Sequence, residues 1–303
     1  MKIYNFGSLN IDYVYAVDHF VVAGETLAAE KMSIFPGGKG LNQSIALARA
    51  GAKVIHGAVL GKDGGFLMEK LSAAGVDVSR IEQTDGSCGH AIIQVNKSGQ
   101  NSILLFPGAN HRVDKDYAKR FLYDARPDDI LLLQNETNEL DSFFEVACKK
   151  KMQIVFNPSP FHPDIRNLPL SHVKWWFCNE IEGKALFGGG SPQQIVSNFS
   201  AKFPSAYLIL TLGADGSIFK SADTLIHQPI YKAQTVDTTA AGDTFTGYFI
   251  AAVTKGKDVR FALDIASKAA SIAVSRKGAS ESIPYMDEIH CDAAFCLKDG
   301  GEL

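Results

Sequence analysis

The chain has no pair of cysteines spaced as Cys-x-x-Cys, and its five cysteines, Cys88, Cys148, Cys178, Cys291 and Cys296, are scattered over 303 residues. An odd, dispersed set builds neither a disulfide framework nor a zinc site, so these are expected to be reduced thiols of a cytoplasmic protein. No stretch approaches the ~20 apolar residues that span a bilayer. Residues 1–10 run into an apolar, strand-like segment without the basic region, long apolar core and cleavage site of a secretory signal. An excess of one charge is also missing: 30 Lys and Arg against 33 Asp and Glu leave a net charge of −3, with no block of like charge. This composition lacks the electrostatic footprint of a nucleic-acid or anionic-membrane binder and points to small-molecule chemistry. No internal repeat or low-complexity segment is present.

What is present is a large apolar fraction, 46%, enough to bury a sizeable core. Short β-branched or aliphatic runs at 3–6, 53–59, 130–133, 153–156, 175–178 and 207–212 alternate with helical patterns at 41–50, 66–74, 140–150 and 181–187. Such alternation implies parallel pairing and right-handed crossovers, hence an α/β fold with a mostly parallel central sheet flanked by helices. Two regions, 11–35 and 89–106, break the rhythm. Ala91-Ile-Ile-Gln-Val95 followed by Asn96-Lys-Ser-Gly99 reads as strand and turn with no helix. The two insertions are expected to form a second, small β-sheet on a single domain covering 1–303, as a lid or as an ordinary edge hairpin.

Several fragments suit chemistry. In Asp237-Thr-Thr-Ala-Ala-Gly-Asp243-Thr-Phe, small residues lead into an apolar helix at 245–253. Ala240, Ala241 and Gly242 would let a phosphate approach the backbone N–H groups of a helix start; equally, Asp243 or Thr244 would serve there as a plain helix cap. In Phe35-Pro-Gly-Gly-Lys-Gly-Leu-Asn42, a glycine turn precedes a helix, and Lys39 and Asn42 offer a cation and an amide to polyol oxygens. It is not a Walker A loop, because Gly40 follows Lys39; a turn that only ends a strand fits as well. Asn10 and Asp12 share one face of an extended chain, as ligands or as solvated turn residues. Glu136 follows the strand at 130–134, at the carboxyl end where open α/β sheets bind ligands, unless it caps a helix. Thr211-Leu-Gly-Ala-Asp-Gly216 fits a nucleotide loop or a hairpin turn.

Taken in order, Gly37-Gly-Lys-Gly40, Asn179-Glu-Ile-Glu182, Thr211-Leu-Gly-Ala-Asp-Gly216 and Asp237-Thr-Thr-Ala-Ala-Gly-Asp243 resemble the ribokinase family of carbohydrate kinases. The likeness runs from Gly7-Ser-Leu-Asn-Ile-Asp12 to Arg276-Lys-Gly-Ala279. It implies an ATP-dependent kinase that phosphorylates a sugar hydroxyl, with D-ribose as first candidate and fructose, a nucleoside, a sugar phosphate or non-catalytic sugar binding as alternatives. By the same resemblance, Asp243 would be the catalytic base next to an anion hole at Ala240, Ala241 and Gly242. Asn10, Asp12, Gly38, Lys39, Asn42 and Glu136 would hold the sugar. Asn179, Thr211, Gly213, Gly216, Gly242 and Ser267 would line the nucleotide site. Glu182 would handle Mg²⁺ through water, and Asp237, Thr239, Ala273, Arg276, Gly278 and Ser282 would surround K⁺. The β-sheet would close as a lid and pair two chains in a homodimer.

Overall fold

The computed structural model describes residues 1–290; Cys291 and Cys296 lie outside them. In chain order the elements are β1 (Ile3–Phe6), β2 (Asn10–Ala16), β3 (Lys31–Gly37), α1 (Lys39–Arg49), β4 (Val54–Gly61), α2 (Gly65–Ala73), β5 (Asp77–Thr84), β6 (Gly89–Val95) and β7 (Asn101–Phe106). There follow α3 (Tyr117–Phe121), β8 (Ile130–Gln134), α4 (Leu140–Lys149), β9 (Gln153–Asn157), β10 (Val173–Asn179), α5 (Glu180–Phe187), α6 (Pro192–Lys202) and β11 (Tyr207–Thr211). The chain continues through β12 (Ser217–Lys220), β13 (Leu225–Gln228), α7 (Ala241–Thr254), α8 (Val259–Val274) and α9 (Met286–His290).

Nine strands form the main sheet in the order β13-β12-β11-β10-β9-β8-β1-β4-β5. All neighbours are parallel except at one edge, where β12 and β13 run antiparallel. Strands β4 and β8 are buried at every position, as expected for parallel strands covered on both faces. The consecutive tryptophans of β10 show the two layers. Trp175 faces Phe249 of α7, while Trp176 faces Phe199 of α6; successive side chains of a strand must point to opposite faces. One core therefore holds α1, α2, α7 and α8, and the other α3 to α6.

Helix α7 is buried from Asp243 to Ala252, and it lies against α1. The close approach depends on Gly247, where a Cβ would collide with Ala46 Cβ and stand 2.9 Å from Leu47 N. This crossing matters below, because it brings the first turns of α1 and α7 together.

The second sheet has four strands, β3-β2-β6-β7, with β2 and β6 parallel and both outer pairs antiparallel. It is built from both insertions and is thus more than an edge hairpin. The predicted turn closes β6 onto β7, with Gly99 at φ 78° donating to Asn96 O.

Candidate active site

The carboxyl ends of the parallel strands meet the first turns of α1 and α7 and the inner part of the small sheet. The tightest point is Gly40 against Gly7, where a Cβ on either would strike its neighbours. Gly38, at φ 97°, makes the turn from β3 into α1 that few other residues could make. Glu136, just past β8, accepts from Lys39 N at 2.8 Å and from Ser8 Oγ. It therefore caps a helix, but α1 rather than the α4 that follows it in the chain.

Asn10 and Asp12 are strand residues of β2, not solvated turn residues. Asn10 is buried and accepts from Asn110 Nδ2 at 2.7 Å; Asn110 in turn accepts from Leu9 N at 3.0 Å. Gly89 leaves room for that pair, since a Cβ there would run into both amides. Asp12 lies against Gly37, and its carboxyl is pushed up to about 7, first by burial and then by the charge of Glu136. Lys39 is partly buried. Burial lowers its pKa, but the carboxylates of Asp243, Glu136 and Glu182 outweigh that and leave it raised. One ammonium thus balances a basin of carboxylates.

Asp243, in the first turn of α7, is buried. Its Oδ1 accepts from Gln43 Nε2 at 2.8 Å and its Oδ2 from Asn42 Nδ2 at 3.1 Å. The helix begins at Ala241, earlier than its apolar run at 245–253 suggests, and no side chain caps it. Neither Asp243 nor Thr244 is a helix cap. Ala240 starts the helix from a left-handed conformation, φ 60°, and the N–H groups of the first turn are left without intrahelical acceptors. Gly242 is exposed, and a Cβ there would meet nothing within 4 Å. Protein packing gives no reason for a glycine at that position.

Beside Gly242 opens a cleft of 390 Å³ lined by Thr211, Gly213, Gly216, Ser267, Ala241 and Gly242 together with Tyr231, Phe245 and Ala270. The segment Thr211 to Gly216 is indeed the turn between β11 and β12, and it also forms the cleft wall. Ser267 donates to Pro229 O at 3.1 Å. Asn179 is not among the lining residues; it forms a reciprocal capping box with Glu182 at the start of α5.

Of the expected cation residues, the structure joins Thr239 and Gly278 to Asp237, while Ala273 is the penultimate residue of α8 and Arg276, Gly278 and Ser282 follow that helix. Asp237 Oδ1 accepts from Thr239 N at 2.9 Å and Oδ2 from Gly278 N at 3.1 Å, while Arg276 N donates to Ala273 O. Ser282 is fully buried with its Oγ on Ala279 O, but the Arg276 guanidinium turns away to Glu288.

A model of the pfkB family of carbohydrate kinases matches residues 2–286. The chain belongs to this family. It is 34% identical to the ribokinase of Staphylococcus aureus over 303 residues, covering 95% of this chain and 98% of that one. Among solved structures it is similar to the Arabidopsis thaliana ribokinase complexed with ribose and ATP, with TM-score 0.85, 28% identity and coverage of 95% and 97%. It is also similar to the Cryptococcus neoformans ribokinase in complex with ADP, with TM-score 0.82, 31% identity and coverage of 95% and 98%. This carbohydrate kinase is accordingly a phosphotransferase acting on a sugar hydroxyl.

Within the kinase, Gly242 faces the cleft while its neighbour Asp243 turns to the polar basin under the small sheet. The two halves of the site meet at one turn of helix. Two residues of this basin, Gln43 and Gln134, are not singled out by sequence pattern, whereas Asn110 falls in Gly108-Ala-Asn110, which shares in the family resemblance. Gln43 directly follows Asn42 on α1, and both reach Asp243 only because α1 and α7 cross so closely.

Proposed function

We propose that this kinase is a ribokinase, transferring the γ-phosphoryl group of ATP to the 5-hydroxyl of D-ribose with Asp243 as the proton acceptor. The observation that carries the reading is the adjacency of Gly242, open to the cleft, and Asp243, buried in the carboxylate and amide basin. The cleft would take ATP, in keeping with the ligands named for the Arabidopsis and Cryptococcus proteins. The basin would take the sugar: Asn10, Asp12, Gly38, Lys39, Asn42 and Glu136 supply donors and acceptors suited to a neutral polyol. As the bond from O5 to the γ-phosphorus forms and the bond to ADP breaks, the O5 proton passes to the Asp243 carboxylate. Phosphoryl transfer is mainly a matter of positioning and charge stabilisation. The N–H groups of the α7 first turn beyond the bend at Ala240 suit the developing phosphoryl charge, that of Gly242 at an exposed residue and that of Ala241 held only by Thr238 O at 3.3 Å.

Among the described residues no group of three or more His, Cys, Asp and Glu could hold a metal by itself. That suits Mg²⁺ carried largely by the substrate's phosphates, with Glu182, whose carboxylate already accepts from Asn179 N, acting through water. Bound there, it would neutralise phosphate charge. The set Asp237, Thr239, Ala273, Arg276, Gly278 and Ser282 suits K⁺ held mostly by backbone carbonyls, with the Asp237 carboxylate supplying charge. The small sheet would close as a lid on one domain. Its exposed Ile34, Ile92, Ile103, Leu104, Leu105 and Phe106 suit pairing of two lids in a homodimer. The free thiols Cys88, Cys148 and Cys178 suit a cytoplasmic setting.

The test is a panel of D-ribose, D-fructose, adenosine and fructose 6-phosphate with MgATP, read by ADP release. D-ribose should give the highest kcat/KM, and a lead for adenosine or fructose 6-phosphate would overturn the substrate assignment. Asp243→Asn should lower kcat by about two to four orders of magnitude while calorimetric sugar affinity changes little.

A further inference from the structure

Asp243 is the end of a longer buried polar chain. Gln43 Nε2 donates to Asp243 Oδ1 at 2.8 Å and to Asn157 Oδ1 at 3.1 Å. Gln43 Oε1 accepts from Gln134 Nε2 at 2.7 Å, and the same Nε2 donates to Asn5 Oδ1 at 2.9 Å. Asn5 Nδ2 ends the chain on Gly40 O at 2.9 Å and Ser44 Oγ at 2.7 Å. Asn5 and Gln43 have no exposed surface and Gln134 has 1%. Gly7 makes room for the Gln134 carboxamide, which a Cβ at that position would strike.

The direction of every amide in this chain is determined. A backbone carbonyl only accepts, so Gly40 O requires the Asn5 NH₂ and Phe177 O requires the Asn157 NH₂, which donates to it at 2.8 Å. The oxygens of Asn5 and Asn157 must then face Gln134 and Gln43 respectively. Gln134 therefore presents its NH₂ to Gln43 Oε1, and Gln43 presents its NH₂ to the carboxylate. Reversing any one amide would set donor against donor or acceptor against acceptor in a buried place, which is costly.

We propose that Gln43 is a positioning residue for phosphoryl transfer: anchored through Gln134, Asn5 and Asn157 to two backbone carbonyls, it holds the Asp243 carboxylate in the rotamer that receives the sugar proton. The inference rests on the reading of Asp243 as proton acceptor. Asn42 holds the other carboxylate oxygen from the same helix, so both oxygens are fixed by α1 and the carboxylate cannot swing. The NH₂ groups of Asn5, Gln43 and Gln134 each make two hydrogen bonds, although Gln134 Oε1 has no partner, and donors so engaged define one arrangement in a way apolar packing does not.

The test compares Gln43→Met, Gln43→Glu, Asp243→Asn and the double variant Gln43→Met/Asp243→Asn in single turnover with MgATP and D-ribose. Gln43→Met should lower the transfer rate about 10- to 100-fold, the equivalent of one hydrogen bond to a charged group, with sugar KM within about threefold. In the Asp243→Asn background the same change should cost no more than about twofold, because the two residues act as one unit. Gln43→Glu keeps the acceptor for Gln134 but can donate only while its carboxyl is protonated, so its rate relative to wild type should fall as pH rises. If Asp243→Asn keeps its turnover, the base assignment fails and takes this inference with it. If Asp243→Asn collapses while Gln43→Met stays within about twofold of wild type, or if the losses simply multiply, the base stands and the positioning role is overturned. A pH-independent ratio for Gln43→Glu also overturns it. Should Gln43→Met fail to fold, Gln134→Met, which does not touch Asp243, must show the same kcat loss and the same non-additivity.

Discussion

Replacing Gly242 by alanine should make the kinase more stable and less active at once. A Cβ at this position meets nothing within 4 Å, and its φ is not in the left-handed region, so the methyl group costs neither a clash nor backbone strain. Alanine restricts the unfolded chain and favours the helix, a gain of about 0.5–1 kcal/mol near a helix start. For a chain of this size that is a rise in Tm of about 1–3 °C. The same methyl group would stand between the N–H groups of the α7 first turn and any phosphoryl oxygen approaching from the cleft. Losing one such donor typically costs about 10²–10³ in kcat. Differential scanning calorimetry gives the stability, and an ADP-release assay at saturating sugar and MgATP gives the turnover. A lower Tm would show that the position is packed after all, and a kcat within about threefold of wild type would refute an anion hole at this helix start.

Three other outcomes are expected. Asp12 is raised from 3.8 to about 7, so its protonated form is favoured by folding: the stability it contributes is complete below pH 4 and is lost as pH rises through 7. Asp12→Asn should flatten urea-derived stability between pH 5 and 8; an unchanged pH profile would refute the raised value. Gly247→Ala forces α1 and α7 apart against Ala46 and Leu47 and should cost about 1–3 kcal/mol in chemical denaturation, with kcat falling too as Asn42 and Gln43 withdraw from Asp243. Potassium titrated at constant ionic strength into an organic-cation buffer should raise turnover where sodium largely does not, and Asp237→Ala should lose that response while keeping residual activity; equal rates without potassium would sink the cation reading.

How much of this was legible beforehand depends on how local each signal is. The apolar runs of β8 and β10 and the strand-turn pattern at Ala91 to Gly99 carry their own period, so the parallel sheet and the extra strands follow from the sequence. The start of α7 does not, because Ala240 opens the helix from a left-handed conformation where a Ser, Asp or Asn cap would have announced it. The parallel pairing of β2 with β6 joins segments some 80 residues apart, and nothing in either strand names its partner. Gln43 is hidden for a similar reason: its polar pairs are on Gln134, Asn157 and Asp243, and only the packed fold reveals that three buried amides, the half-buried Asn157 and one carboxylate share a single row.

The places where local rules are broken converge on the site, and that convergence is itself an argument for function. Among the described residues, four that are not glycine have positive φ: Asp128, Glu139, Lys151 and Ala240. The first three lie at turns beside β8, α4 and β9, and none lines the cleft. Ala240, although not itself a lining residue, directly precedes Ala241 and Gly242, which do line the cleft, and opens an uncapped helix whose next exposed residue is a glycine with empty space above it. A left-handed alanine, unpaired helix N–H groups and a row of buried amides each cost stability, and a fold selected for stability alone would remove them with a cap, a side chain at Gly242 and an apolar core beneath Asp243. All three bear on the head of α7: the alanine and the N–H groups lie at its start, and the amide row, carried by β1, β8, β9 and α1, reaches Asp243 through Gln43 where Gly247 lets α1 and α7 touch. The costs are therefore best understood jointly: the strained turn frees the N–H groups, the glycine keeps the approach open, and the amide row fixes the carboxylate that must face the same approaching phosphorus from the other side.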